Sequence, residues 1–247
     1  MLLKHRDGRQ ALIREIDRIL TLPLTLEQRV QIERDRESLE TLEQQEARIA
    51  KALDFHYKDA MNWAIIHDLR LERYDDVAEM DHVVINRFLD VYVLDTKYYH
   101  YGMKVTEEGE FFLWEGKDYR PVDSPLTLNQ MNIDVLRQSV GERDLGPRRL
   151  DFPVPVKYRN VLIFDPASNL VKPQAAAIDL TAVLKSDEFV PKAEMSTANK
   201  AAVDASKMVS YDVLREFGEK LVRLHRRRPE PDLLARYGLN PEEHGSQ

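Results

Sequence analysis

Two short stretches decide the fold of this chain: Asp81-His82-Val83-Val84-Ile85-Asn86 and Asp90-Val91-Tyr92-Val93-Leu94-Asp95-Thr96-Lys97. Both are rich in β-branched and aromatic residues, and only Arg87-Phe88-Leu89 separates them. They read as an antiparallel hairpin. If Asn86 pairs with Asp90, Asp81 falls directly opposite Asp95. Side chains alternate along a strand, so Asp81, Val83, Ile85, Val91, Val93, Asp95 and Lys97 share one face. That face is apolar until its end, where two carboxylates and an ammonium meet. Facing β-carbons lie about 5 Å apart, and two carboxylates so placed repel unless a cation lies between them. A divalent ion with hard oxygen ligands resolves the repulsion, which points to Mg²⁺ (or Mn²⁺) on Asp81 and Asp95. Lys97, one pleat further on, can orient a water or stabilise charge developing on a phosphate. An Asp-x-Lys triplet alone carries little weight. The conjunction carries more, because unpaired charge on an apolar strand face is expensive.

Outward from this hairpin the chain divides into three textures. Residues 1–53 are densely charged, with Leu12, Ile16, Ile19 and Leu20 at helical spacing. Pro23 breaks that pattern, and Thr25-Leu26-Glu27-Gln28 reads as a capping box opening a second, long helix. Ile32, Leu39, Leu42, Ile49 and Leu53 form a heptad seam interrupted by Asp35 and Glu46. The spacing fits a helical hairpin that either packs on the next domain or mediates a homo-oligomer or protein partner contact. Residues 54–177 form the core. They open with an expected helix over Tyr57–Leu71, followed by the hairpin and a strand Glu110–Glu115 after the turn Glu107-Glu108-Gly109. Ser124-Pro125 caps a helix running to about Val140, and strands are expected at Val154–Lys157 and Val161–Phe164. This order indicates a mixed α/β sheet flanked by helices. Residues 178–247 form a C-terminal helical extension, with a helix over Ala201–Arg227 and a frayed end at Pro241–Gln247. The run Leu224-His225-Arg226-Arg227-Arg228 suits the negative end of a helix dipole, and phosphate contact by Arg226 and Arg227 is the alternative.

Composition narrows the function. The 247 residues carry 36 Lys and Arg against 43 Asp and Glu, a formal charge of −7, with 32% charged and 43% hydrophobic residues. That suits a folded globular chain and argues against a dedicated nucleic-acid coat, while leaving room for an enzyme with a local basic surface. The chain has no cysteine, which excludes a disulfide framework, zinc-thiolate and iron–sulfur sites and a thiol nucleophile. No apolar run reaches the roughly 18 residues of a membrane span, and the start lacks the apolar region of a signal peptide, so a cytoplasmic protein is expected. No glycine-rich phosphate loop, His-Glu-x-x-His, Gly-x-Ser-x-Gly or zinc-finger spacing occurs.

Asp81-His82-Val83-Val84 followed by Val91-Tyr92-Val93-Leu94-Asp95-Thr96-Lys97 resembles the core motif of the PD-(D/E)XK nuclease superfamily, and more narrowly the nuclease-related domain known as NERD. Gly109-Glu110-Phe111-Phe112-Leu113-Trp114 and Ser124-Pro125-Leu126-Thr127-Leu128-Asn129-Gln130 match the family's later segments. The resemblance covers about Tyr57–Phe164. It implies a restriction-endonuclease-like fold and Mg²⁺-dependent phosphodiester hydrolysis in DNA (or RNA), with the carbonyl of Thr96 as a third metal ligand. It further implies that Gln130 contributes at the site, and that an acid from the preceding helix does so. The family's Gly-Glu pair is matched here by Lys58-Asp59, making Asp59 the candidate. The second acid is Asp95 where the family more commonly has Glu, and extra residues separate Leu126 from Gln130.

Other residues complete the picture. His82 points to the face opposite Asp81, where packing is the better reading. Tyr99, within the cluster Tyr98, Tyr99, His100 and Tyr101, could stack on a base or sugar, and Arg148 and Arg149 could meet phosphate. Two competing readings are a nuclease fold that has lost catalysis and binds nucleic acid, and a scaffold whose helical arms are the functional part.

Overall fold

A computed structural model of the chain describes residues 1–97, 102–149 and 151–239. Its strands are β1 (Leu2–Lys4), β2 (Trp63–Arg73), β3 (Asp76–Asn86), β4 (Asp90–Lys97), β5 (Met103–Val105), β6 (Phe111–Trp114), β7 (Tyr119–Val122), β8 (Arg148–Arg149), β9 (Phe152–Pro153), β10 (Lys157–Phe164), β11 (Leu170–Val171) and β12 (Val183–Lys185). The helices are α1 (Gln10–Ile19), α2 (Leu26–Tyr57), α3 (Pro125–Glu142), α4 (Ser186–Asp204), α5 (Tyr211–Leu224) and α6 (Leu233–Arg236). The described residues form two compact units, one within 1–6 and 49–226 and the other within 7–48 and 227–239.

The larger unit is built on a six-stranded mixed sheet in the order β1-β2-β3-β4-β10-β12. The β2-β3 and β3-β4 ladders are antiparallel, while β1-β2, β4-β10 and β10-β12 are parallel. The turn expected at Arg87-Phe88-Leu89 is present. Asn86 Oδ1 accepts the N–H groups of Phe88 and Asp90 at 2.9 and 3.0 Å, and its amide donates to the Asp90 carboxylate at 3.2 Å. Val83, Ile85, Val91 and Val93 pack with Ile133 and Leu136 of α3 and with Leu214, Phe217 and Leu221 of α5. Val84, Tyr92 and Leu94 face the other way, onto Leu53 and Tyr57 of α2 and Phe189 of α4. The two-residue alternation read from the sequence therefore separates two apolar layers. Gly109 takes a φ of +86° in the turn before β6, a conformation that disfavours any side chain.

In the smaller unit, Ile16 and Ile19 of α1 pack on Ile32 of α2 and on Leu233 of α6. The capping box forms: Thr25 Oγ1 accepts the Gln28 N–H at 3.2 Å, and Gln28 Oε1 accepts the Thr25 N–H at 3.0 Å. The heptad seam is used within each unit. Ile32 and Leu39 join the smaller unit's core, and Ile49 and Leu53 join the larger one's. The interrupting acids have partners too: Asp35 accepts from Arg236 and Tyr237, and Glu46 pairs with Arg9.

Four expectations are corrected. The segment Tyr57–Leu71 is the end of α2 followed by β2, because Trp63–His67 are buried on both sheet faces and show no alternation that would mark a strand. The expected helix Ala201–Arg227 is two helices: α4 ends at Asp204, and Ser210 caps α5 by accepting the Val213 N–H at 3.2 Å. Val154–Val156 is not a strand, and β10 starts at Lys157. The compact units also differ from the partition 1–53, 54–177 and 178–247, since α2 crosses its first boundary and α5 fills the core instead of extending it. The Pro241–Gln247 end lies outside the described residues.

Candidate active site

The hairpin register sets the site. His82 pairs with Leu94, Val83 with Val93, Val84 with Tyr92 and Ile85 with Val91, so the next rung brings Asp81 against Asp95. The Asp81 carboxylate accepts the backbone N–H of Thr96 at 2.7 Å. Lys97 Nζ lies 2.9 and 2.8 Å from the two oxygens of Asp95. All three side chains thus gather where the β3–β4 ladder stops, midway along β3 and at the C-terminal end of β4. Asp95 and Lys97 are only partly covered, at 17% and 26% side-chain exposure, so solutes can reach them. Burial holds the Asp95 carboxyl above the ordinary carboxylate range, and Lys97 pulls it the other way.

The same rung extends into β2. His67 pairs with His82 and Leu69 with Met80, leaving Asp68 beside Asp81 with a φ of +48°. Alternation changes phase there: Ala64 and Ile66 face the α3 and α5 layer before it, Leu69 and Leu71 after it. Asp68 was missed because the segment read as a helix. Its carboxylate lies 3.9 Å from Arg6 Nε.

On the opposite face, His82 Nδ1 is 2.7 Å from His67 Nδ1, and His67 Nε2 is 3.0 Å from Asp54. These distances assign the tautomers: His82 Nδ1–H donates to His67, and His67 Nε2–H donates to Asp54. His82 Nε2 is buried and has no hydrogen-bond partner among the described residues. Burial lowers the pKa of both rings, so both are neutral. His82 is a packed residue, as its orientation predicted.

The remaining expected site residues are dispersed. Asp59 is exposed in the turn between α2 and β2, and β2 opens with Trp63 opposite Asn86, at the end of β3 away from Asp81. Gln130 donates to Asp134 at 3.0 Å and lies 3.5 Å from Asn160 on β10; none of these bonds goes to Asp81, Asp95 or Lys97. Its neighbour Asn129, which the sequence reading passed over, is 1% exposed and donates to the Val93 carbonyl at 3.0 Å and to Asn160 at 2.8 Å. It fixes β4 two residues before Asp95. Arg148 pairs with Asp144, and Arg149 donates to the carbonyls of Ser206 and Met208. That places Arg149 beside the Arg87 turn, since Val209 N–H bonds the Arg87 carbonyl, and away from the carboxylates. Arg226 lies just beyond the end of α5, its N–H on the Arg70 carbonyl of β2 at 2.8 Å and its guanidinium on the His225 and Arg223 carbonyls at 3.0 and 3.5 Å, the contacts that the helix-dipole account describes. Arg227 belongs to the smaller unit. Tyr99 and its cluster lie outside the described residues.

A mixed sheet flanked by helices, with two acids and a lysine where the pairing of two neighbouring strands stops, is the plan of a restriction-endonuclease-like nuclease fold. The sequence model of the nuclease-related domain, NERD, matches residues 41–164, half of the chain, and the chain belongs to that family. The match begins in the middle of α2, earlier than the Tyr57 start read from the motifs. Searches of curated proteins and of solved structures gave no match. No helix among the described residues is long and apolar enough to cross a membrane.

Proposed function

We propose that this chain is a divalent-metal-dependent nuclease that hydrolyses phosphodiester bonds in nucleic acid, DNA being the first substrate to test. The observation that carries the reading is the meeting of Asp81, Asp95 and Lys97 where the β3–β4 ladder stops. The donor set fits Mg²⁺ or Mn²⁺. Two carboxylates and the Thr96 carbonyl are hard oxygens, and the Asp95 carboxyl, held up by burial, is one that a cation would help to ionise. Among the described residues no group of three or more His, Asp or Glu side chains is placed to hold an ion. Water and substrate phosphate would complete the coordination, as is usual for Mg²⁺. Such an ion would polarise the phosphodiester and acidify a bound water.

The chain's own groups do the rest. Asp81, braced by the Thr96 N–H, is fixed in direction, and Asn129 holds the strand that presents Asp95. Lys97, on a flexible stem, exchanges its contact with Asp95 for the attacking water or the charged phosphoryl oxygens. Asp59 and Gln130 make no contact that supports a direct role, and Arg226 meets β2 at the Arg70 carbonyl, two residues from Asp68.

The two-acid set also favours a second reading, a nuclease fold that binds nucleic acid without cutting it. Cleavage of labelled single- and double-stranded DNA and RNA with Mg²⁺ and Mn²⁺, comparing the parent with Lys97→Ala, separates the two. The nuclease reading expects metal-dependent cutting that Lys97→Ala abolishes. Equal cutting by both proteins removes Lys97 from the mechanism, and binding without any cutting by the parent leaves the second reading.

A further inference from the structure

A groove of 1060 Å³ lies at the other end of the same strands. Lys157, which opens β10 opposite Asp90, and Phe88 of the β3–β4 turn belong to its lining. Asp95 and Lys97 are five to seven residues further along β4, which at ~3.3 Å per residue puts the groove about 20 Å from the candidate active site. One wall is the β8–β9 hairpin and the segment after it, and the other is the outer face of α4. Three apolar side chains on these walls are mostly bare: Phe152 is 76% exposed, Met195 62% and Val203 86%. Grouped exposed apolar residues around one concavity mark an interaction surface. The volume stands at the upper limit of the ~300–1,000 Å³ of sites filled by drug-sized ligands, and the exposed apolar walls suit a polypeptide segment.

The charge of the groove sets the character of that segment. Five cations line it, Arg149, Lys157, Lys192, Lys200 and Lys207, against one acid, Asp204. Lys207 is spent on Asp204, Lys200 on the buried Asp90 and Lys192 on Glu188 at 3.8 Å. Arg149 bonds only backbone carbonyls, and among the described residues neither it nor Lys157 has a carboxylate within ion-pairing distance. In a chain of net charge −7 this is a local cationic rim around apolar walls. Phe88 and Phe152 are the two aromatic side chains of the lining; the rest of its apolar surface is Val, Pro and Met, which suits aliphatic side chains better than a run of stacked bases.

We propose that this groove docks an acidic, amphipathic peptide segment of a partner protein, with its apolar side chains against Phe152, Met195 and Val203 and its carboxylates on Arg149 and Lys157. To test this, a phage-displayed library of random 12-residue peptides is selected on the full chain. The enriched peptide is synthesised with a fluorophore and titrated by polarisation against the parent, Lys157→Glu and Val203→Asp. Both substituted residues are exposed, and unchanged thermal melting verifies that the variants are folded. The expected result is enrichment of Asp and Glu among Leu, Ile and Phe, with binding weakened at least tenfold in each variant. Peptides without acidic residues, or binding that neither variant weakens, would overturn the proposal. So would displacement of the peptide by a 12-nucleotide oligothymidine that itself binds the parent more tightly than Lys157→Glu, which would make the groove a nucleic-acid site.

Discussion

Replacing Lys97 with Met removes one charge and keeps most of the packing of the stem, so its consequences can be worked out separately. The Lys97–Asp95 contact is partly exposed, and burial outweighs Lys97 in setting the Asp95 carboxyl. The pair therefore offsets a desolvation cost, and its loss should change unfolding stability by no more than about 1 kcal/mol. The rate is a different matter. A lost donor to charge developing in the transition state costs about 3–4 kcal/mol, a fall of roughly 10²- to 10³-fold. The metal should respond in the opposite sense. An ammonium ~5 Å from a divalent ion repels it by about 1.7 kcal/mol even with water-like screening, so Lys97→Met should tighten Mn²⁺ on the order of tenfold. Single-turnover cleavage of a labelled oligonucleotide at saturating Mg²⁺, Mn²⁺ calorimetry and urea unfolding read the three quantities. Cleavage within twofold of the parent, or weaker Mn²⁺ binding, would refute the reasoning.

Other parts of the structure make separate predictions. Asn129→Ala deletes two bonds from a buried amide and strands the Val93 carbonyl and Asn160 Oδ1, so it should cost about 2–4 kcal/mol in urea unfolding; a loss below ~1 kcal/mol would contradict that role. Phe217, 1% exposed between α5 and the sheet, should cost about 3–5 kcal/mol on conversion to Ala, whereas a helix merely appended to the core would lose far less. Burial lowers the His67 pKa below its ordinary value near 6.5, so the unfolded chain binds more protons there. Stability should then fall as the pH drops below about 6.5, and His67→Gln should flatten that dependence. An unchanged slope in melting temperature between pH 7 and pH 5 would show that His67 is not responsible.

The sequence made the hairpin legible because one physical rule governs it. Alternation on strands of known ends placed Asp81, Asp95 and Lys97 on one face, and a three-residue turn left a single register that satisfied both apolar layers. The Ser124 and Thr25 caps were legible for a similar reason, since each is a local hydrogen-bond pattern written in adjacent residues. Strand β2 was not, because Trp63 to His67 are buried on both sides and present an unbroken apolar run to any periodicity. Asp68 and the Asp54–His67–His82 chain were hidden with it, since each depends on pairing β2 with β3. Asp59 was misplaced for the same cause: it precedes a strand, and the direction of that strand carries it to the wrong end of the sheet. The break between α4 and α5 turned on Ser210, a cap inside what otherwise reads as continuous helix. The groove at the start of β4 joins residues more than a hundred positions apart, and no local pattern announces it.

The proposal places a single divalent-metal centre that supports hydrolysis where the β3–β4 ladder stops, at Asp81 and Asp95. It is tested most directly by titrating the metal-stripped chain with Mn²⁺ while following cleavage of the same labelled substrate, for the parent and for Asp81→Asn with Asp95→Asn. The account predicts that cutting by the parent rises with occupancy of one site, and that the double variant, still folded, loses both binding and cutting. Cleavage by the parent in the presence of chelator, or by the double variant at the parent's rate, would contradict it.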